Sequence, residues 1–164
     1  MRILGVDPGL NITGYGILDD FDGCVKVVEA GVVRTKGSDP MPLRLHVIGR
    51  EMENIVQQFK PDAIAIEELY SHYGHPRTAI IMGHARGIVL LRAAEAEIEV
   101  FPYSSTKVKN SLTGNGRASK RQVQQMICST LELLTVPEPP DVADALAVAL
   151  CHCRTLQHQY TVEV

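Results

Sequence analysis

The sequence has no tryptophan, and only 3 phenylalanines and 5 tyrosines among its 164 residues. Its interior is therefore expected to be built from Ala, Val, Ile and Leu, which suits an α/β core. It has no long unbroken apolar run. The longest stretch, Ala79 to Ala94, is interrupted by His84, Arg86 and Arg92, so no membrane span is expected. Gly5 and Asp7 fall where a signal peptide needs its apolar segment, and no leader is expected there. Paired CxxC spacing is missing too. Cys24, Cys128, Cys151 and Cys153 are expected as free thiols, in keeping with a reducing, cytoplasmic setting. Cys151, His152 and Cys153 offer zinc-ligand types, but the two cysteines sit two apart on one expected helix and point in different directions. Thiols packed in a core are the better reading. Nor is there an excess of positive charge: Lys plus Arg is 16, Asp plus Glu is 19, and the net charge is -3. Taken alone, that argues mildly against a nucleic-acid binder.

The charge is unevenly spread, however. From Ser104 to Gln125 there are five basic residues, Lys107, Lys109, Arg117, Lys120 and Arg121, and no acidic one. Interleaved with Ser, Thr, Asn and Gly, they form either a phosphate-contacting surface or a solvated loop. With 45% apolar and 21% charged residues, the chain is expected to be ordered, and its length suits one domain with its own core.

The apolar pattern divides the chain into alternating elements. Residues 2–6 read as a buried strand ending at the turn Asp7-Pro8-Gly9. Thr13 to Leu18 and Cys24 to Thr35 read as two further strands of a meander, the second bent at Gly31. A helix is expected to open at Pro42, with Leu43, Val47, Met52, Ile55, Val56 and Phe59 on one stripe. A strand over Asp62–Leu69, a helix over Thr78–Glu95 and a strand over Glu99–Tyr103 follow. Ser104–Leu112 reads as a helical turn, and Ser119–Leu133 as a helix capped by Ser119. Asp141–Leu156 is expected as the last helix, with a frayed polar tail after Gln157. The order implies one α/β domain on a mixed sheet.

The carboxylates at the ends of these elements carry the chemistry. Asp7 ends a strand too apolar to lie at an edge, where a charge is costly unless it is paired, hydrogen-bonded or metal-bound. Glu67 and Glu68 end another buried-looking strand. Asp141 and Asp144 are three apart on one helix, so they share a face near its positive end. Each has a plain alternative: a turn cap for Asp7, a helix cap for Asp141, a solvated strand end for Glu67 and Glu68. Taken together, they suggest a cluster whose mutual repulsion divalent cations would relieve. Oxygen-only ligands select magnesium or manganese over zinc, and two such ions support phosphodiester hydrolysis.

Gly5-Val6-Asp7-Pro8-Gly9 with Thr13-Gly14-Tyr15-Gly16, then Ala65-Ile66-Glu67, then Asp141-Val142-Ala143-Asp144-Ala145-Leu146-Ala147, resemble the RuvC family of bacterial crossover junction endodeoxyribonucleases. A DxG alone also fits actin-like ATPases, but that class needs a second lobe for which this chain has no room. The resemblance implies a ribonuclease-H-like α/β fold, a five-stranded mixed sheet flanked by helices, in a single nuclease domain over 1–157 with a polar tail over 158–164. It implies a cytoplasmic homodimer, working with the RuvA–RuvB branch-migration complex and not with a membrane. The dimer would resolve four-way (Holliday) junction DNA in recombination and repair, by paired symmetric cuts leaving 5'-phosphate and 3'-hydroxyl ends. By match, Asp7, Glu67, Asp141 and Asp144 are the catalytic carboxylates, holding two Mg2+ ions for which Mn2+ can substitute. Some members have histidine at the position of Asp141, and Glu68 is the non-catalytic neighbour. Lys109 and Lys120 match basic residues near the scissile phosphate, Lys120 with a catalytic part. Lys107, Arg117 and Arg121 are expected as further DNA contacts. Tyr70 falls where the family has an aromatic that stacks on a base at the junction centre.

Overall fold

The computed structural model describes residues 1–69 and 76–162. Three strands come first: β1 (Arg2–Asp7), β2 (Ile12–Phe21) and β3 (Cys24–Arg34). Then follow α1 (Met41–Phe59), β4 (Ala63–Glu67), α2 (Pro76–Glu95) and β5 (Glu99–Tyr103). Three helices close the chain: α3 (Ser105–Thr113), α4 (Lys120–Thr130) and α5 (Pro140–Val162). The five strands form one sheet in the order β3-β2-β1-β4-β5. β1, β2 and β3 are antiparallel neighbours, whereas β4 runs parallel to both β1 and β5. The mixed sheet read from the alternating pattern is thus the sheet observed.

β1 and β4 lie in the middle of the sheet and are buried on both faces, which is why they read as unbroken apolar runs. Their side chains alternate between two cores. Leu4, Val6, Ile64 and Ile66 point to the side of α1 and α2, where they meet Ile48, Met52, Ala85 and Val89. Ile3 and Ala65 point to the other side, where they meet Leu146, Ala147 and Leu150 of α5.

That second face is made of small residues, and this is what positions the site. A Cβ on Gly5 would collide with the carbonyl oxygen of Ala145, one on Gly14 with that of Asp141, and one on Gly16 would stand 2.6 Å from Leu146 Cδ2. α5 answers with Ala143, Ala145, Ala147 and Ala149, all buried. A glycine floor under an alanine-rich helix lets the two backbones approach closely. α5 is buried almost all round from Val142 to Cys153, so it shows no strong polar stripe.

Several boundaries differ from the sequence reading. The pairing of β3 is regular at Gly31. The register shift lies where Ile17 and Leu18 face Glu29 and Val27, leaving Val28 as the extra residue of a bulge. Gly31 stays in register opposite Tyr15, where a Cβ would stand 2.8 Å from the Tyr15 hydroxyl. Leu43 faces outward (56% exposed); the buried face of α1 is Ile48, Gly49, Met52, Ile55 and Val56. Ser105–Thr113 is a full helix, begun by Ser104 and ended by Gly114 at φ 72°. α4 stops at Thr130, and Glu132 then turns through φ 53°. α5 continues past Gln157 to Val162.

Candidate active site

Parallel pairing sets the first two acids side by side. Val6 lies opposite Ile66, so the next residues, Asp7 and Glu67, leave the sheet at the same edge. The turn after Asp7 is pinned by Thr13, which is fully buried and donates its hydroxyl to the Gly9 carbonyl at 2.7 Å. The third and fourth acids arrive from above. Gly14 is the ladder partner of Asp7, and Asp141 sits on Gly14 so closely that a Cβ would not fit. Asp141 thus opens α5 directly over the end of β1, and Asp144 follows one turn later. The positive end of α5 faces the same place and favours ionised carboxylates.

Electrostatics shows how closely the four are grouped. Asp7 is pushed up to about 8, first by burial and then by the charges of Glu67, Asp144 and Asp141. Glu67 is also raised, by burial and Asp144, against the opposing pull of hydrogen bonds from Asp7 and Ser105 and the charge of Lys109. Both shifts favour a proton held between Asp7 and Glu67 when no cation is bound. Lys120 Nζ lies 2.7 Å from Asp144 Oδ2. Burial pulls the Lys120 ammonium down, but Asp144, Asp141 and Asp7 outweigh it and the net shift is upward.

A cleft of about 220 Å³ opens at this point, lined by Glu67, Ser105, Lys109, Lys120 and Asp144 over a floor that includes Val108 and Val123. A larger groove of about 990 Å³ lies between β3 and α1, but none of the four acids lines it. Of the other expected DNA contacts, Lys107 is exposed, with its ammonium 4.7 Å from the centre of the Tyr103 ring. Arg117 and Arg121 are exposed between α3 and α4 and on the first turn of α4. Tyr70 lies outside the described residues. Glu68 is exposed, and its N–H donates to the Tyr103 carbonyl at 2.9 Å.

Cys151 and Cys153 are free and buried, and His152 between them bonds through Nδ1 to the Tyr103 hydroxyl at 2.7 Å. These are core groups, as expected. Among the described residues, no three His, Cys, Asp or Glu side chains are already arranged to hold a metal ion. The donor chemistry of the acid cluster nonetheless fits hard divalent cations: its ligands are all oxygen, and burial together with the neighbouring carboxylates makes the charge on Asp7 costly without a cation.

Ser105 did not stand out from the sequence, although its place directly after the helix-capping Ser104 aims it at the sheet edge. The glycine floor was visible only as part of the resemblance, in Gly5, Gly14 and Gly16.

Acids at the ends of two parallel central strands, completed by a helix crossing the sheet, define a ribonuclease-H-like nuclease. The profile of the family described as "Crossover junction endodeoxyribonuclease RuvC" matches residues 3–152. A relative so named from Alkaliphilus oremlandii is 46% identical, covering 94% of each chain. Another from Rhodopirellula baltica is 48% identical over 91% of this chain and 84% of its own. The solved structure of Thermus thermophilus RuvC in complex with a Holliday junction substrate superposes with a TM-score of 0.89 at 32% identity, covering 97% of this chain and 96% of that one. The chain belongs to the RuvC family of crossover junction endodeoxyribonucleases: it is a structure-selective nuclease that resolves four-way junctions by metal-dependent hydrolysis.

Proposed function

We propose that Asp7, Glu67, Asp141 and Asp144 together hold two Mg2+ ions, with Mn2+ as a substitute, and that this site cuts one strand of a four-way DNA junction. The observation that carries the reading is placement: Asp7 and Glu67 leave neighbouring parallel strands at one sheet edge, and Asp141 opens α5 on Gly14, the ladder partner of Asp7. When bound, the ions supply Lewis-acid activation of water and stabilisation of the leaving oxygen. The chain's own residues do the rest. Lys109 and Lys120 line the cleft from α3 and α4 and neutralise the phosphate. Ser105 lines the same cleft as Glu67 and favours its ionised form. Water adds to phosphorus, the bond to the 3'-oxygen breaks and that oxygen takes a proton. The products are a 5'-phosphate and a 3'-hydroxyl. Lys107, Arg117 and Arg121 extend the basic surface along the departing duplex, and Tyr70 stacks at the junction centre.

One chain carries one acid cluster, yet resolution requires two cuts. A two-fold homodimer supplies two equivalent sites to a symmetric substrate. An exposed face of α2 supports this. Gly87 is exposed with nothing within 4 Å of a Cβ built on it, and Ile80 and Leu91 are 62% and 50% exposed. We place the enzyme in the cytoplasm beside the RuvA–RuvB complex, a reading supported by family membership and by four free cysteines. Residues 1–157 constitute the nuclease domain.

A supercoiled plasmid bearing an extruded cruciform tests the paired-cut reading. Two coordinated cuts give linear product whose nicks ligase reseals, as 5'-phosphate and 3'-hydroxyl ends require. Accumulation of nicked circles, or ends that resist ligase, would contradict it.

A further inference from the structure

We propose that Lys120 is a placeholder cation: its ammonium occupies Asp144 while no junction is bound and transfers to phosphate when one enters, so that metal binding at Asp144 becomes conditional on substrate. This rests on the reading of the four acids as one metal site. The geometry has three parts. The Asp144 side chain is 32% exposed, and its Oδ2 accepts from Lys120 Nζ at 2.7 Å. A metal ion at Asp144 must share that carboxylate with a like charge or displace it.

The base of Lys120 is fixed. It is the first residue of α4, behind a reciprocal cap in which Ser119 and Gln122 satisfy each other's backbone N–H groups. Ala118 and Val123 are buried on either side. The side chain beyond that anchor is 55% exposed and is held at its end by Asp144. A fixed anchor with a movable head suits a group that changes partner.

A second acceptor is available in the same place. Lys120, Lys109, Glu67 and Asp144 line one cleft, so a phosphate entering it comes within reach of both ammonium groups. An exposed ion pair is worth about fivefold or less in an equilibrium constant, so it yields to a phosphate without a large barrier. Thermodynamic reciprocity then makes junction and metal raise each other's affinity.

The test is Mn2+ binding to the full-length, junction-free protein, followed by electron paramagnetic resonance of free Mn2+. Lys120→Met, or Lys120→Gln as a second variant, is expected to bind Mn2+ roughly two- to fivefold more tightly than wild type. Lys109→Met removes the same charge from the same cleft without touching Asp144, and is expected to change affinity less. Asp7→Asn is expected to bind most weakly. Unchanged or weaker binding in both Lys120 variants, with Asp7→Asn still weak, would overturn the placeholder and leave the metal site standing. Equal tightening by Lys109→Met and Lys120→Met would reduce the effect to net charge and also overturn it. Wild-type binding in Asp7→Asn would overturn the metal site, and the placeholder with it.

Discussion

Asp7 is held near pH 8 by burial and by three acids, and that has a cost in the absence of metal. Its ordinary value is 3.8, so between there and about 8 the folded state keeps a proton that the unfolded chain releases. The stability that this proton contributes is complete below the ordinary value and is lost as pH rises through about 8. Metal-free protein is therefore expected to weaken on going from pH 5 to pH 8.5. Asp7→Asn should flatten that slope and raise stability at pH 8 by about 1–3 kcal/mol, as read by denaturant titration in EDTA. A variant that keeps the wild-type slope would remove Asp7 from the cluster. Lys109 makes a different kind of contribution. Lys109→Ala should weaken junction binding for all sequences and lower the salt slope by about 1; equal slopes would take it off the list of phosphate contacts. Single residues were unequally legible. The four acids stood out because each ends an element or opens a helix. The Lys120–Asp144 pair joins residues 24 apart in sequence, and the Tyr103–His152 bond joins residues 49 apart. No local pattern marks either pair.

At the scale of elements, the site depends on how closely α5 lies on the sheet. Gly14→Ala places a methyl group against the Asp141 carbonyl, so α5 must lift at its N-terminal end. The expected cost is about 1–3 kcal/mol from overpacking. Cleavage should fall much further, about 100-fold, because two of the four acids move with the helix. Single-turnover cleavage beside denaturant titration checks this, and an unchanged cleavage rate would show that α5 does not set the geometry. Strand positions were readable because the central strands are apolar throughout and their neighbours are set off by turns. The bulge at Val28 was not, because a one-residue mismatch belongs to a pair of strands and to neither alone. The start of α4 was legible because Ser119 writes a cap into the sequence, whereas Ser104 and Gly114 bound a full helix where only a helical turn was expected. Nor was the far end of α5 legible, because its polar composition reads as a tail.

At the scale of the whole molecule, the proposed site occurs once per chain, for a substrate that needs two cuts. The basic surface of α3 and α4 lies beside the cluster while the chain as a whole is slightly acidic, so the balance of charge understates its affinity for DNA. Where a second copy sits was not legible, since an exposed apolar helix face has the same sequence pattern as a buried one. On the proposed reading, the four carboxylates form one metal-dependent site that acts on four-way junctions. The most direct test compares a synthetic four-way junction with linear duplex of the same sequence, each with Mg2+, Mn2+ or EDTA, for wild type and Asp7→Asn. Paired nicks at symmetric positions, confined to the junction, requiring metal and abolished in the variant without loss of junction binding, are the predicted result. Cleavage that persists in Asp7→Asn, or that cuts the linear duplex equally well, would contradict it.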